Sequence, residues 1–281
     1  MTHGLDIALI QTRTPATATE ALAHVEPLIR QAAASGAKFI LTPEASNLLE
    51  QRRDLRLLAV TDEDQDKVVI GLRHLAAELG VWLLIGSAIV HSGHTGDDRA
   101  ANRSLLIDAN GGIVARYDKL HVFDVDLPNG ERYRESASIR PGDGATVADT
   151  PWGRLGMTIC YDMRFPHLYR QLARAGATMI SVPAAFTVPT GRAHWEILLR
   201  ARAIETGAFV LAPAQGGLHE DGRSTWGRSI VVAPWGEIVA SLDHDEPGVL
   251  LARLDFEAVT RARTAVPALS HDRDFAPPGR V

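Results

Sequence analysis

The chain has 281 residues, 46% of them hydrophobic and 22% charged, with a formal net charge of −5, which suits one large α/β domain or two small ones of ordinary globular composition. Its one cysteine excludes an internal disulfide and any multi-cysteine zinc or iron–sulfur site. No basic run interleaved with aromatics supports nucleic-acid binding, no apolar stretch approaches a membrane span, and residues 1–6 lack the basic and apolar regions of a signal peptide, so a cytoplasmic protein is expected.

Residues 7–10 form a short apolar run, read as a buried strand. Residues 19–34 carry apolar side chains at helical spacing and stop at Gly36, a residue suited to the position after a helix. Residues 39–41 predict a second strand, which empties into Thr42-Pro43-Glu44. A second amphipathic helix spans 66–79, stopped by Gly80, and a third strand spans 81–85. This alternation argues for parallel β-α-β units. The middle differs. Residues 103–107 and 113–117 flank Asn110-Gly111-Gly112, a hairpin signal. Residues 124–149, rich in Gly, Pro and charge, read as one long irregular segment of the kind that serves function or moves.

The alternation then resumes: strand 155–159, helix 167–175, strand 179–182, helix 194–205, strand 209–211. A second hairpin joins 230–232 to 238–240 through Pro234-Trp235-Gly236, and 249–254 is a last strand. The tail from Pro267 has three prolines and no periodicity, which predicts a surface arm. No internal repeat or linker splits the chain. One mixed sheet and two stacked sheets both fit the pattern.

Glu44, Lys119 and Cys160 each follow an apolar strand candidate at its carboxyl end. If those strands lie side by side, the three side chains meet at one mouth of the sheet. Taken singly, the cysteine reads as core packing, the glutamate as a loop acid and the lysine as a solvated cation. Taken together they are chemically coherent. A cation lowers the pKa of a thiol and a carboxylate can take its proton. The ammonium and the Tyr161 N–H would then face a tetrahedral oxyanion. Such a set cleaves amides or nitriles through a thioester and calls for no metal or cofactor.

The stretches Leu41-Thr42-Pro43-Glu44, Tyr117-Asp118-Lys119-Leu120-His121-Val122-Phe123-Asp124 and Gly156-Met157-Thr158-Ile159-Cys160-Tyr161-Asp162-Met163-Arg164-Phe165-Pro166 resemble the signature motifs of the nitrilase superfamily of carbon–nitrogen hydrolases. The resemblance implies a single-domain, four-layer α-β-β-α sandwich over residues 5–257, leaving 258–281 as a C-terminal arm. It also implies a homodimer or higher oligomer. It makes Glu44 the base, Lys119 the second triad member and Cys160 the nucleophile. A second family glutamate falls on Glu135, because Tyr133-Arg134-Glu135-Ser136 matches its motif with Tyr in place of Phe.

Pro183-Ala184-Ala185-Phe186, Thr190-Gly191-Arg192-Ala193-His194-Trp195-Glu196 and Ala214-Gln215-Gly216-Gly217-Leu218-His219 resemble the deaminated glutathione amidases and the related omega-amidases. The expected activity is therefore hydrolysis of a small, linear, anionic amide. Deaminated glutathione comes first and 2-oxoglutaramate or 2-oxosuccinamate second; a catalytically idle binding or scaffold protein is the reading of another class. An anionic substrate needs donors, and Arg164, Arg192 and His194 are the candidates, the last two expected at the start of a helix. His91 and His94, with Asp97 and Asp98, read as a polar loop, and residues 219–223 as a turn tip.

Overall fold

The computed structural model describes residues 4–127 and 130–278, with only the backbone of Arg53 described. The chain runs β1 (Leu5–Gln11), α1 (Ala18–Ala34), β2 (Phe39–Leu41), α2 (Arg53–Ala59), α3 (Lys67–Leu79), β3 (Trp82–His91), β4 (Ala100–Ile107) and β5 (Ile113–Asp118). A small hairpin follows, β6 (Asp124–Asp126) and β7 (Arg132–Arg134), then β8 (Thr146–Thr150) and β9 (Gly153–Met157). Next come α4 (Pro166–Arg174), β10 (Ala177–Ser181), α5 (Val188–Thr206), β11 (Phe209–Ala212), β12 (Gly216–Leu218) and β13 (Ser224–Trp226). The last elements are β14 (Ile230–Val232), β15 (Ile238–Ser241), β16 (Gly248–Leu254) and α6 (Glu257–Ala265).

Two six-stranded sheets result, ordered β16-β1-β2-β3-β4-β5 and β15-β14-β11-β10-β9-β8. In each, two parallel pairs (β1-β2-β3 and β9-β10-β11) are flanked by antiparallel strands. From the first parallel strand onward the two sheets share one order, β1-β2-β3-β4-β5 and β9-β10-β11-β14-β15, but the strand outside β1 is β16, the last in the chain, whereas the one outside β9 is β8, which precedes it. The period-2 alternation of strand side chains explains the layers. Ile7, Leu9, Phe39, Leu41, Leu84 and Leu106 point into the core between the sheets. Their neighbours Ala8, Ile10, Ile40, Leu83 and Leu105 point the other way, against α1 and α3. On the second sheet α4 and α5 contribute Leu168, Leu172, Trp195 and Leu199 to the larger core. The molecule is thus a single-domain α-β-β-α sandwich.

Several elements depart from the sequence reading. Segment 124–149 is not irregular throughout: it holds β6, β7, a 3₁₀ turn at Glu135–Ala137 and the start of β8. These strands are short and only partly buried, so no long alternation marks them. The short helix α2 was also missed. Helix α5 starts at Val188, six residues before the expected start, so Arg192 and His194 lie beyond its first turn rather than at its N-terminus. The motif Thr187-Val188-Pro189 supplies the true start, with proline at a position that needs no N–H.

Candidate active site

The triad is not assembled by neighbouring strands of one sheet. Strands β2 and β5 belong to the first sheet and are separated by β3 and β4, whereas β9 belongs to the second. The three side chains meet because the sheets stack.

Glu44 is placed by the turn that leaves β2. This turn lies across a bulge in β3, where Gly86 N–H donates to Thr42 Oγ1 (3.1 Å), Ser87 N–H to the Pro43 carbonyl (3.2 Å) and Ala45 N–H to Ser87 Oγ (2.8 Å). A Cβ at Gly86 would collide with the carbonyl oxygens of Thr42 and Pro43, so glycine is required there. Lys119 directly follows β5 and is pinned by its N–H to the Asn102 carbonyl of β4 (3.0 Å).

Cys160 lies three residues past the end of β9, because that strand stops at Met157 rather than at 159. Thr158 and Cys160 continue its pairing with donations to the carbonyls of Ser181 and Pro183. The cysteine then opens a 3₁₀ turn (Cys160–Arg164) with φ at +49°. A left-handed backbone costs a side-chain-bearing residue roughly 1–2 kcal/mol. Such strain concentrates where a reactive group must be presented sharply.

The charged groups are tightly matched. Lys119 Nζ, 2% exposed, donates to Glu44 Oε1 (2.9 Å) and to Glu135 Oε1 and Oε2 (3.1 and 2.9 Å). Asn102 Nδ2 donates to Glu44 Oε1 (2.9 Å) and Glu135 Oε1 (3.3 Å). Ala185 N–H donates to Glu44 Oε2 (2.9 Å), and Phe123 N–H to Glu135 Oε2 (2.6 Å). Burial alone would raise the Glu44 pKa, but Lys119, Cys160 and Asn102 outweigh it and hold the carboxyl below its ordinary range. Burial would lower the Lys119 pKa; Glu135 and Glu44 reverse that, and the ammonium stays charged.

The thiol behaves differently from the expectation that a cation would lower its pKa. Burial raises it, the Glu44 carboxylate adds to the rise, and Lys119 only partly opposes both. The resting site therefore holds a neutral thiol beside a carboxylate, with the proton ready to pass to Glu44 during attack.

A second network joins the two sheets around this centre. The Asp162 carboxylate, wholly buried, accepts from Tyr117 Oη (2.7 Å) and Ile159 N–H (2.9 Å) on one oxygen. The other accepts from His121 N–H (3.0 Å) and lies 2.7 Å from His121 Nδ1. Asp162 thus ties the segment bearing Lys119 to the turn bearing Cys160. His121 is occupied here and stacks on Phe165 rather than pairing with the thiol.

A cavity of about 320 Å³ opens onto these groups; Glu44, Lys119, Glu135, Cys160 and Tyr161 all line it. Arg164, Arg192 and His194 do not. Arg164 lies over the rings of Tyr161 and Phe186, which do line it, with Nη2 3.2 Å from His194 Nδ1. Arg192 lies 6.0 Å above Trp226. The sequence reading did not single out Asn102 or Ala185. Asn102 stands between Ala101 and Arg103 in a largely polar stretch, which gives no local sign of its burial. Nothing in the sequence marks a backbone N–H such as that of Ala185. His91 pairs with Asp62 (2.9 Å) and His94 stands 3.7 Å from Asp143; no group of metal-binding size occurs among the described residues.

Comparison with known proteins gives concordant results. The family model described as carbon-nitrogen hydrolase matches residues 6–264. A deaminated glutathione amidase of Yersinia enterocolitica is 43% identical, over 95% of this chain and 93% of its own. The crystal structure of the C. elegans NitFhit protein superposes with a TM-score of 0.87 at 34% identity, covering 97% of this chain but 66% of that longer one. An amidase from Nesterenkonia sp. AN1 gives a TM-score of 0.76 at 28% identity, covering 94% of this chain and 95% of that one. That enzyme has been solved with butyramide bound to a cysteine-to-alanine mutant. It has also been solved, as another mutant, with acrylamide added to its active site cysteine.

Proposed function

Because the chain belongs to the carbon–nitrogen hydrolase family, we propose that it is an amidase in which Cys160 attacks the carbonyl of a small, anionic, linear amide, deaminated glutathione foremost. The observation that carries this reading is the buried cluster in which Lys119 grips Glu44 and Glu135 beside the Cys160 thiol. Deaminated glutathione enters from the Yersinia relative's name. A cavity of about 320 Å³, far above the roughly 10–15 Å³ that admits one water, suits a ligand longer than a simple primary amide.

Glu44 takes the thiol proton as Sγ bonds to the carbonyl carbon. The Lys119 ammonium and the Tyr161 N–H stabilise the oxyanion that forms. Glu44 returns the proton to the departing nitrogen, and the C–N bond breaks to leave a thioester. With deaminated glutathione the leaving group is a peptide amine; with 2-oxoglutaramate it is ammonia. Water then attacks the thioester with Glu44 as base, and the thiol is restored. Glu135 keeps Lys119 charged and aimed. Arg164 acts on the substrate through the Tyr161 and Phe186 rings it covers, while Arg192 and His194 stay candidates for an indirect role.

The cytoplasm is the proposed compartment, since the chemistry needs a reduced thiol. No helix among the described residues is long and apolar enough to cross a membrane. A homodimer is supported by Ile204 of α5, exposed beside the β14–β15 turn that carries the exposed Trp235, and by Ile197, exposed on the same helix. The domain 5–257 and the arm 258–281, which opens within α6, would meet the partner there. The deciding experiment is product release from deaminated glutathione, 2-oxoglutaramate, glutamine and a nitrile. The highest kcat/KM should fall on deaminated glutathione. Preference for the nitrile, or turnover no higher than that of Cys160→Ala, would refute the reading.

A further inference from the structure

The hairpin β12–β13 ends in His219-Glu220-Asp221-Gly222-Arg223, which the sequence marks only as a turn. Its last residue reaches the reaction cavity, since Arg223 lines the same cavity as Cys160. Other cations on that wall are engaged. Lys119 holds two carboxylates. Arg134 forks both oxygens of Asp126 at 2.9 Å, and Arg132 stands 3.5 Å from the same carboxylate. Arg56 donates to Ser138 and to the Glu50 carbonyl.

Arg223 is different. Its side chain is only 19% exposed, and among the described residues its guanidinium has one partner, Asp221 Oδ2 at 3.9 Å. That separation is an ion pair too long for a hydrogen bond. Both Arg223 Nε and Asp221 Oδ2 are buried with no hydrogen-bond partner, and so is Nε of Arg56, whose other two nitrogens donate, while Asp221 Oδ1 accepts the Arg223 backbone N–H at 2.9 Å. Unsatisfied buried polar groups are uncommon and call for an explanation, and a guanidinium is the side chain best shaped to fork a carboxylate. The lining as a whole carries five cationic side chains against three carboxylates, which favours an anionic ligand over a cationic one.

We propose that Arg223, braced by Asp221, binds a substrate carboxylate remote from the scissile amide, and so makes this cavity selective for amides carrying such a group. The proposal rests on the amidase reading for the identity of the substrate, but its test does not require turnover. Calorimetric titration of the Cys160→Ala protein would use deaminated glutathione, the same compound with its glycine carboxylate converted to carboxamide, and 2-oxoglutaramate. Arg223 would be native or changed to Ala or Lys.

With native Arg223, deaminated glutathione should bind about tenfold or more tighter than its carboxamide. Arg223→Ala should abolish that preference, and Arg223→Lys should keep part of it. 2-Oxoglutaramate has the same acyl group but no remote carboxylate on its leaving group, so Arg223→Ala should leave its affinity nearly unchanged, and a loss confined to it would overturn the proposal. Undetectable binding, unchanged affinities in Arg223→Ala, or an equal loss for acid and carboxamide would overturn it. Carboxylate-dependent binding without wild-type turnover would leave the site standing and remove the amidase reading instead.

Discussion

The inner and outer ends of the cavity are built in opposite ways. At the inner end every charge has a close partner: Lys119 bridges Glu44 and Glu135, and both carboxylates also accept from Asn102 and from backbone N–H groups. At the outer end Arg223 and Asp221 face each other across 3.9 Å with buried atoms unmatched. Paired charges fix geometry and protonation before substrate arrives, as a reacting centre requires, even though Asn102 Oδ1 beside them has no hydrogen-bond partner. An unsaturated pair leaves hydrogen-bonding capacity for a ligand to complete, as a reader of substrate identity requires. The two ends should therefore fail differently when altered.

The largest effect is expected at the nucleophile. Cys160→Ala should reduce turnover by about 10³-fold or more, as loss of a covalent catalytic group does elsewhere, with the thermal midpoint little changed. Steady-state assay beside a melting curve checks both halves, and retained turnover would remove Cys160 from the chemistry. Next comes Lys119→Met, which leaves two buried carboxylates without their cation and should destabilise the fold by about 3–5 kcal/mol in urea titration.

The same variant has a pH signature. In the native site Glu44 is held below its ordinary range, so its stabilising contribution is present above the unfolded pKa and is lost as pH falls through the lower folded value. Lys119 has the opposite sign: its raised pKa contributes fully below the unfolded value and is lost as pH rises through the folded one. The acid limb of wild-type kcat/KM should thus lie below about 4.3, the ordinary glutamate value. Without Lys119, burial dominates and residual activity should show that limb moved upward. A limb that stays in place would mean that Lys119 does not set the state of Glu44.

A smaller effect is expected one step out. Asp162→Asn replaces an acceptor of several hydrogen bonds with a group that presents N–H to other donors, costing about 1–3 kcal/mol. Its kcat should fall about tenfold while KM holds, because the carboxylate positions the Cys160 turn without touching substrate. A rise in KM alone would contradict that role. At the outer end, Arg223 should show the reverse pattern, in affinity.

Much of this was legible in the sequence where one physical signal dominated. The apolar runs at 7–10 and 39–41 exposed two strands inside the first sheet and 249–254 its edge strand, and the helix 66–79 was bounded by Asp66 and Gly80, which indeed cap α3. The motifs around Glu44, Lys119 and Cys160 pointed to residues that share one cavity. What stayed hidden depends on distant pairing. Two sheets and one sheet give the same local alternation, so the stacking that unites β2, β5 and β9 left no local mark. The thiol's raised pKa was hidden too, because it follows from burial and from a carboxylate 116 positions away in sequence. Arg223 gave no signal beyond a turn, since its unmatched partner and its place on the cavity wall exist only in three dimensions.

The central claim is a thioester formed on Cys160. Deaminated glutathione and 2-oxoglutaramate share one acyl group and differ in the leaving amine. Turnover of each in the presence of hydroxylamine divides the product between hydroxamate and free acid. A common acyl-enzyme predicts the same hydroxamate-to-acid ratio from both substrates at every hydroxylamine concentration, and no hydroxamate from Cys160→Ala. Ratios that differ between the substrates, or acid released with no hydroxamate at all, would contradict the account.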